Sequence, residues 1–467
     1  MKRPLRNMVL LFTGDAGGRI IGFFVSIYLA RVLEPSGFGM FTIGMAVLGY
    51  LLLVASPGIQ VVEMRNVAAL PDLDGERIGG VLTIRLVLAT ALWGVTALAA
   101  PLLVDDPALR TVIVLAAATL IPMAMTLDWY FLGKEEGAPV TRARLAGAAV
   151  TALATLAMVN SPADLPAAPL LFAGGACVSA LILVLAFRRR HGWPELRWDP
   201  GMWRKILAAN LPVGFATFLG QHVVNLPPIV LGLTLSAGEV GEFSAAMKIV
   251  VALLVLDRLI GTLFLPVIAR TLTASPSGVT RLYSIVLKTV AVVALPLGVI
   301  GTVLAPPVTA FLYGHAYDAS GGVLQILVWY APLTLLNSVH VATLIGAHRE
   351  RTYTFIMVIA STLLVALVVG LALIWGAAGA AAGVVGGELA AFLLLSREAG
   401  ACAGARVAPI LAGPAGAAAL MAAGAVASSA WSPLASASVA AGVYLIAVPM
   451  LKAVARDEIQ FLRERLV

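Results

Sequence analysis

Predominantly apolar runs of about twenty residues recur along this chain, and they leave few ways to fold. Residues 9–30, VLLFTGDAGGRIIGFFVSIYLA, are typical. A helix needs about 20 residues at 1.5 Å each to cross about 30 Å of hydrocarbon. A closed β-barrel is the other structure that satisfies its backbone in lipid, but its strands alternate apolar and polar residues. These runs do not alternate, so the expected class is an all-α polytopic membrane protein. Composition agrees: 60% of the 467 residues are hydrophobic and 12% charged, against roughly 45–50% and 25% in soluble domains.

Fourteen spans are expected, near 8–32, 37–56, 80–104, 111–133, 140–159, 167–187, 204–232, 240–268, 282–304, 322–345, 352–375, 378–397, 407–430 and 435–453. With the N-terminus in the cytoplasm, about 24 of the 31 basic residues fall in inner loops, and only Arg31 and Arg110 lie outside. That segregation follows the positive-inside rule and supports both the count and the orientation. Both termini are then cytoplasmic, in a multi-pass protein of the cell (inner) membrane. The first run reads as an uncleaved span, because it contains Asp15 and Arg19 and lacks a small-residue cleavage site.

The formal charge of +7 is spread over many short loops, so no basic domain is available to bind nucleic acid. Cys177 in a span and Cys402 in an inner loop make neither a disulfide framework nor a metal site. No cofactor, metal or catalytic residue is expected. The outer loop 305–321 is too short to house a catalytic domain.

A faint internal repeat organises the chain. Gly39-Met40-Phe41-Thr42 leads to Met45, and Gly241-Glu242-Phe243-Ser244 leads to Met247. Arg65 and Arg270 follow in corresponding loops. The expected plan is a six-helix bundle at 1–202, a second at 203–400, and two additional helices with a tail at 401–467. Two six-span repeats are a common transporter plan, with the substrate between them.

Ionisable residues cost roughly 2.5–3.5 kcal/mol or more at mid-membrane, so they mark cavities or partners. Arg19, Arg85, Lys248, Arg258 and Lys288 are the intramembrane cations; Asp15, Asp128, Asp257 and Glu388 are the acids. Asp15 and Arg19 share a helix face, either as a neutralising pair or as a cavity group with its tuning partner. Arg85 and Lys288 lie close enough to the inner surface to snorkel. Asp128-Trp129 reads as an interfacial anchor. Gln221, His222, Asn225, Asn337 and His340 are polar cavity candidates or interhelical hydrogen-bond formers. Pro212, Pro227 and Pro228 break span seven. The excess of cations favours an anionic amphiphile, because Arg and Lys hold phosphate.

The segments YLARVLEPSGFGMFTIGMAV (28–47), Asp128-Trp129 to Gly133, WRKILAANLPVGFATFLGQ (203–221), SAGEVGEFSAAMKIV (236–250), LFLPVIAR (263–270) and FLYGHAYDASGGVLQIL (311–327) carry a family likeness. The chain resembles the polysaccharide-biosynthesis flippases of the multidrug/oligosaccharidyl-lipid/polysaccharide exporter superfamily, over spans one to twelve. The resemblance implies two six-helix bundles around a central cavity, two extra helices and alternating access. It also implies a polyprenyl-diphosphate-linked oligosaccharide as cargo, moved from the inner to the outer leaflet without covalent chemistry. The diphosphate-binding role maps to Arg19, Lys248 and Arg258, with Arg85 a further cationic candidate. Asp15, His222, Asn225, Asp257, Asn337, His340 and Glu388 are candidates for a polar cavity or ion coupling. Asn225-Leu226-Pro227-Pro228 stands where the family pattern has an acid, which weakens a coupling role there. Expected partners are the lipid-linked glycan, membrane lipids and polysaccharide polymerase or export proteins. The alternatives are a cationic-drug antiporter, a lipid-II-type cell-wall flippase and a membrane glycosyltransferase or polymerase.

Overall fold

The computed structural model describes residues 2–69, 75–220, 222–255, 257, 276–451, 453 and 458. Every regular element among the described residues is helical. Among the described residues, nine helical stretches, some made of more than one helix, are long and apolar enough to cross a membrane. Contacts divide the chain into unit 1, Met1–Gly241, and unit 2, Glu242–Val467.

Unit 1 opens with α1 (Lys2–Ala55), whose 54 residues carry two expected spans. Straight, it would be about 81 Å long, well beyond a bilayer core. The chain breaks at Glu34 (φ 58, ψ 174) ahead of Pro35. Proline pushes its preceding residue out of the helical region and supplies no N–H, so the break falls where the sequence demands it. α2 (Ile59–Ala69) and α3 (Gly75–Leu103) follow. The fourth expected span is split into α4 (Pro107–Ala117), α5 (Leu120–Ala124) and α6 (Asp128–Gly133). Asp106 caps α4 by accepting from the N–H groups of Ala108 at 2.7 Å and Leu109 at 3.3 Å.

α7 (Gly137–Met158) and α8 (Ala167–His191) cross at Gly147 and Gly175. A methyl on either glycine would strike the other's carbonyl oxygen, so small residues set this close approach. α9 (Pro200–Gly220) and α10 (His222–Thr234) complete the unit. α9 lies on α2, where Gly58 meets the Asn210 carbonyl and Gly214 meets Pro57. α11 (Ala237–Leu253) starts in unit 1 and continues in unit 2. Trp129, expected as an interfacial anchor, is instead 1% exposed in a core with Ile59, Leu82, Phe131, Phe187 and Ile206. The reason is local: the short α6 turns its first residues inward against α2 and α7.

Unit 2 is built on α12 (Pro276–Tyr313), α13 (Asp318–Leu327), α14 (Tyr330–Gly346) and α15 (Glu350–Ala403). α15 again carries two expected spans and reverses at Trp375 and Gly376, the latter at φ 59. Its arms pack through Gly379, Gly383 and Gly387, which lie against Leu371, Val368 and Leu364. Spacing of four residues puts these glycines on one face, where the arms approach closely. α16 (Val407–Ala427) and α17 (Pro433–Met450) form the additional pair. They attach to α12 through Ala417, Met421, Ala440 and Tyr444, whose hydroxyl donates to the Val292 carbonyl at 2.7 Å.

Candidate functional site

In unit 1 an ionic chain links three helices. Arg19 on α1 donates through Nε to Asp15 at 3.0 Å, one turn earlier. The other Asp15 oxygen faces Arg144 Nη1 of α7 at 3.4 Å, and Arg144 Nη2 reaches Asp128 of α6 at 3.2 Å. The Arg19 side chain remains 49% exposed and that of Arg144 38% exposed. Arg144 is not among the intramembrane cations named from sequence, because it counts there with the basic residues of the inner loops. Helix α7 starts at Gly137, two residues after Glu135 at φ 58, so Arg144 comes two turns up the helix instead.

Arg85 differs from the reading that offered it to a cavity or to the membrane surface. It is buried, 3% exposed. Its Nη1 donates to the Thr126 carbonyl and its Nη2 to the Met123 carbonyl, both at 2.8 Å. Past the end of the short α5 the Thr126 carbonyl has no backbone donor among the described residues, and the guanidinium supplies one; the Met123 carbonyl takes the guanidinium beside the Thr126 N–H and hydroxyl. These carbonyls lie just before Asp128. Three guanidiniums (Arg19, Arg85, Arg144) thus accompany two carboxylates (Asp15, Asp128), leaving one net positive charge.

A second buried charge in unit 1 was not singled out from sequence. Glu63 on α2 is fully buried and accepts both Nε and Nη2 of Arg77, each at 3.0 Å. Asn210 Nδ2 of α9 also reaches Glu63 at 3.3 Å. The signal available in the sequence was an acid followed by a basic residue fourteen positions on, which does not stand out among loop charges. Asn225 on α10 lies against Gly49 of α1. Of the remaining span-seven candidates, Gln221 and the side chain of His222 fall outside the described residues.

In unit 2, Lys248 of α11 is half-buried and has no hydrogen-bond or ion-pair partner among the described residues. Arg258 lies outside the described residues. Asn337 of α14 donates to Glu388 Oε1 of α15 at 2.6 Å, and Thr334 donates to the same oxygen at 3.2 Å. The next residue after Asn337, Ser338, donates to Asp257. This brings Asp257, Asn337 and Glu388 into one polar group. The Asn337 side-chain oxygen Oδ1 has no partner among the described residues. His340 stands apart from it, buried, with Nδ1 3.0 Å from the Tyr283 hydroxyl and its ring beside Phe392. Lys288 pairs with Glu458 through Nζ at 3.1 Å.

Among the described residues, no group of three or more His, Cys, Asp or Glu side chains could hold a metal ion. Apart from Lys248, the charged side chains described above form ion pairs, backbone caps or amide–carboxylate contacts.

Solved structures share this fold. The lipid II flippase MurJ in an inward closed conformation superposes with a TM-score of 0.73 at 13% identity, covering 97% of this chain and all of that one. An inward-facing multidrug resistance MATE family transporter of the MOP superfamily gives 0.60 at 15% identity, over 86% of this chain and 99% of that one. A MOP superfamily transporter from Pyrococcus furiosus, described by a reversed polarity of its binding pocket, gives 0.54 at 16% identity. It covers 86% of this chain and 96% of that one. At these identities the likeness concerns the fold. No curated protein sequence matches. The model of the family described as polysaccharide biosynthesis protein matches residues 5–272, more than half of the chain. A multi-pass helical transporter fold, met in a chain with that match, places this protein in the polysaccharide biosynthesis protein family.

Proposed function

We propose that this chain is an alternating-access flippase that carries a polyprenyl-diphosphate-linked oligosaccharide from the inner to the outer leaflet for cell-surface polysaccharide synthesis. The observation that carries this reading is the half-exposed Arg19 guanidinium in the first span, in an ionic chain of two arginines and two aspartates to which buried Arg85 beside Asp128 adds one net positive charge. A diphosphate is the kind of group such a site holds, through charge-assisted and bidentate hydrogen bonds. The glycan and its diphosphate need a wet, cationic path, while the polyprenyl tail stays in lipid. Arg19 and Lys248, with Arg258, take the binding role. Arg85 acts from behind as a positioning group, holding the α5 end that leads to Asp128.

The reading includes cytoplasmic termini, six-span halves at 1–202 and 203–400, and a tail pair at 401–467. The group of Glu388, Asn337 and Asp257 is assigned the coupling role in the second half. Polysaccharide polymerase or export proteins are the natural partners for a released product.

The test is transport of a labelled undecaprenyl-diphosphate-linked glycan in proteoliposomes. Flipping that disappears in Arg19→Ala/Lys248→Ala, at unchanged protein abundance, supports the proposal. Failure to flip any native glycan lipid overturns it. Preferential flipping of lipid II would move the cargo to cell-wall synthesis, and drug efflux without glycan flipping would replace the function.

A further inference from the structure

An open groove of about 450 Å³ runs along the surface of unit 1 between α3 and α9. Its walls are Ile84, Val87 and Leu88 on one side and Leu207, Ala208 and Leu211 on the other, and they are almost wholly apolar. Its volume falls within the range of ligand sites, about 300–1,000 Å³. One end is different: Pro200, Trp203 and Arg204 form it, and Arg204 has no hydrogen-bond or ion-pair partner among the described residues.

The depth of that end follows from its neighbours. Trp193 is 59% and Trp198 71% exposed, and Trp198 lies edge-on to Trp203 at 4.6 Å. Tryptophans cluster at the membrane–water interface, so Arg204 sits at headgroup level. The segment before α9 is held there: Arg197 pairs with Glu76 at 2.6 Å, and Gly79 and Gly80 admit Glu195 and Met202 against the start of α3. From Pro200 to Leu211 the helix rises about 16 Å. Half of a hydrocarbon core about 30 Å thick is about 15 Å. The groove is therefore one leaflet deep, apolar throughout and closed at the headgroup level by an unpaired cation.

We infer that this groove seats an anionic phospholipid, with one acyl chain between α3 and α9 and its phosphodiester on Arg204. Exposed Lys205 adds a second cation at the same level. A lipid here bridges α3 with α9, the first helix of the second repeat, and so stabilises the arrangement in which α9 lies on the first-repeat helices.

The experiment uses the full-length protein, purified and offered equal amounts of dioleoylphosphatidylglycerol and dioleoylphosphatidylethanolamine, with retained lipid counted by native mass spectrometry. One basic residue near the headgroups is worth about 1 kcal/mol, so wild type should retain phosphatidylglycerol with about fivefold preference. Arg204→Gln should lower this preference, and Arg204→Gln/Lys205→Gln should bring the ratio close to parity, while both still hold a lipid. Ala208→Trp, at an exposed groove position, should abolish retention; Leu211→Trp at the far end serves if the first variant does not fold. Equal retention of the two lipids by wild type, or an unchanged preference in Arg204→Gln, overturns the inference. So does displacement of phosphatidylglycerol by undecaprenyl phosphate at equal concentration, which would give the groove to a polyprenyl tail. None of these readouts depends on transport, so the result stands apart from the proposed function.

Discussion

Gly39 and Gly241 each lie against the other's turn. A side chain on Gly39 would strike the Ala237 carbonyl oxygen, and one on Gly241 would strike the Pro35 carbonyl oxygen. The obstructing carbonyl is four residues before the opposite glycine in both cases. The two positions are also equivalents in the internal repeat, so the sequence symmetry reappears as a symmetric contact. Either glycine replaced by alanine should destabilise the protein by about 1–3 kcal/mol, as overpacking does. The double variant should cost less than the sum, because one clash already separates the turns that the other needs close. Thermal unfolding in detergent measures this, and strict additivity would show that the contacts are independent.

Arg144 and Arg19 should separate by phenotype. Arg144 joins Asp15 to Asp128 across α1, α6 and α7, so Arg144→Ala should lower stability and yield. Its partial exposure limits the loss to about 1 kcal/mol. Arg19→Ala, which removes only a pair within one helix, should leave yield intact and reduce glycan transport. Quantitative immunoblots beside a transport assay decide the matter; equal loss of yield in both variants would make Arg19 structural.

The Glu63–Arg77 pair gives an ordered prediction. Arg77→Ala strands a fully buried carboxylate, a change that costs about 3–5 kcal/mol. Glu63→Gln should cost less, since Arg77 is 38% exposed and water can receive its charge. The double variant should therefore be more stable than Arg77→Ala alone. Melting temperatures of the three variants provide the comparison.

Asp164 supplies a pH signature in the turn between α7 and α8. The backbone N–H of Asn160 and the hydroxyl and N–H of Ser161 hold its carboxyl below the usual carboxylate range. A depressed folded value stabilises above the unfolded pKa, about 3.9, and the stabilisation is lost as pH falls through the folded value. Titration of the turn by NMR should place the Asp164 transition below that of an exposed aspartate. A transition at the ordinary value would show that the turn opens in solution.

Much of the fold was legible because lipid restricts the choices. Run length, lack of alternation and the distribution of Lys and Arg led to helices and to span limits. The breaks were readable where chemistry forces them, at Glu34-Pro35 and at Trp375-Gly376. Side-chain partners were less so. Asp15 with Arg19 could be read because both sit on one helix. Arg144 could not, because its partners come from two other helices and its depth depends on where α7 starts. Arg85 looked like any intramembrane cation; only the end of α5 beside it shows what it holds. Trp129 resembled a belt residue in sequence and became core because α6 is a separate short helix.

The α16–α17 pair meets α12 through alanines, Met421 and one hydroxyl of Tyr444. In water, peeling such a pair away would expose an apolar stripe at considerable cost. In a bilayer, hydrocarbon tails cover that stripe almost as well as the two helices do. The pair is therefore held to α12 by close packing and one hydrogen bond rather than by the exclusion of water.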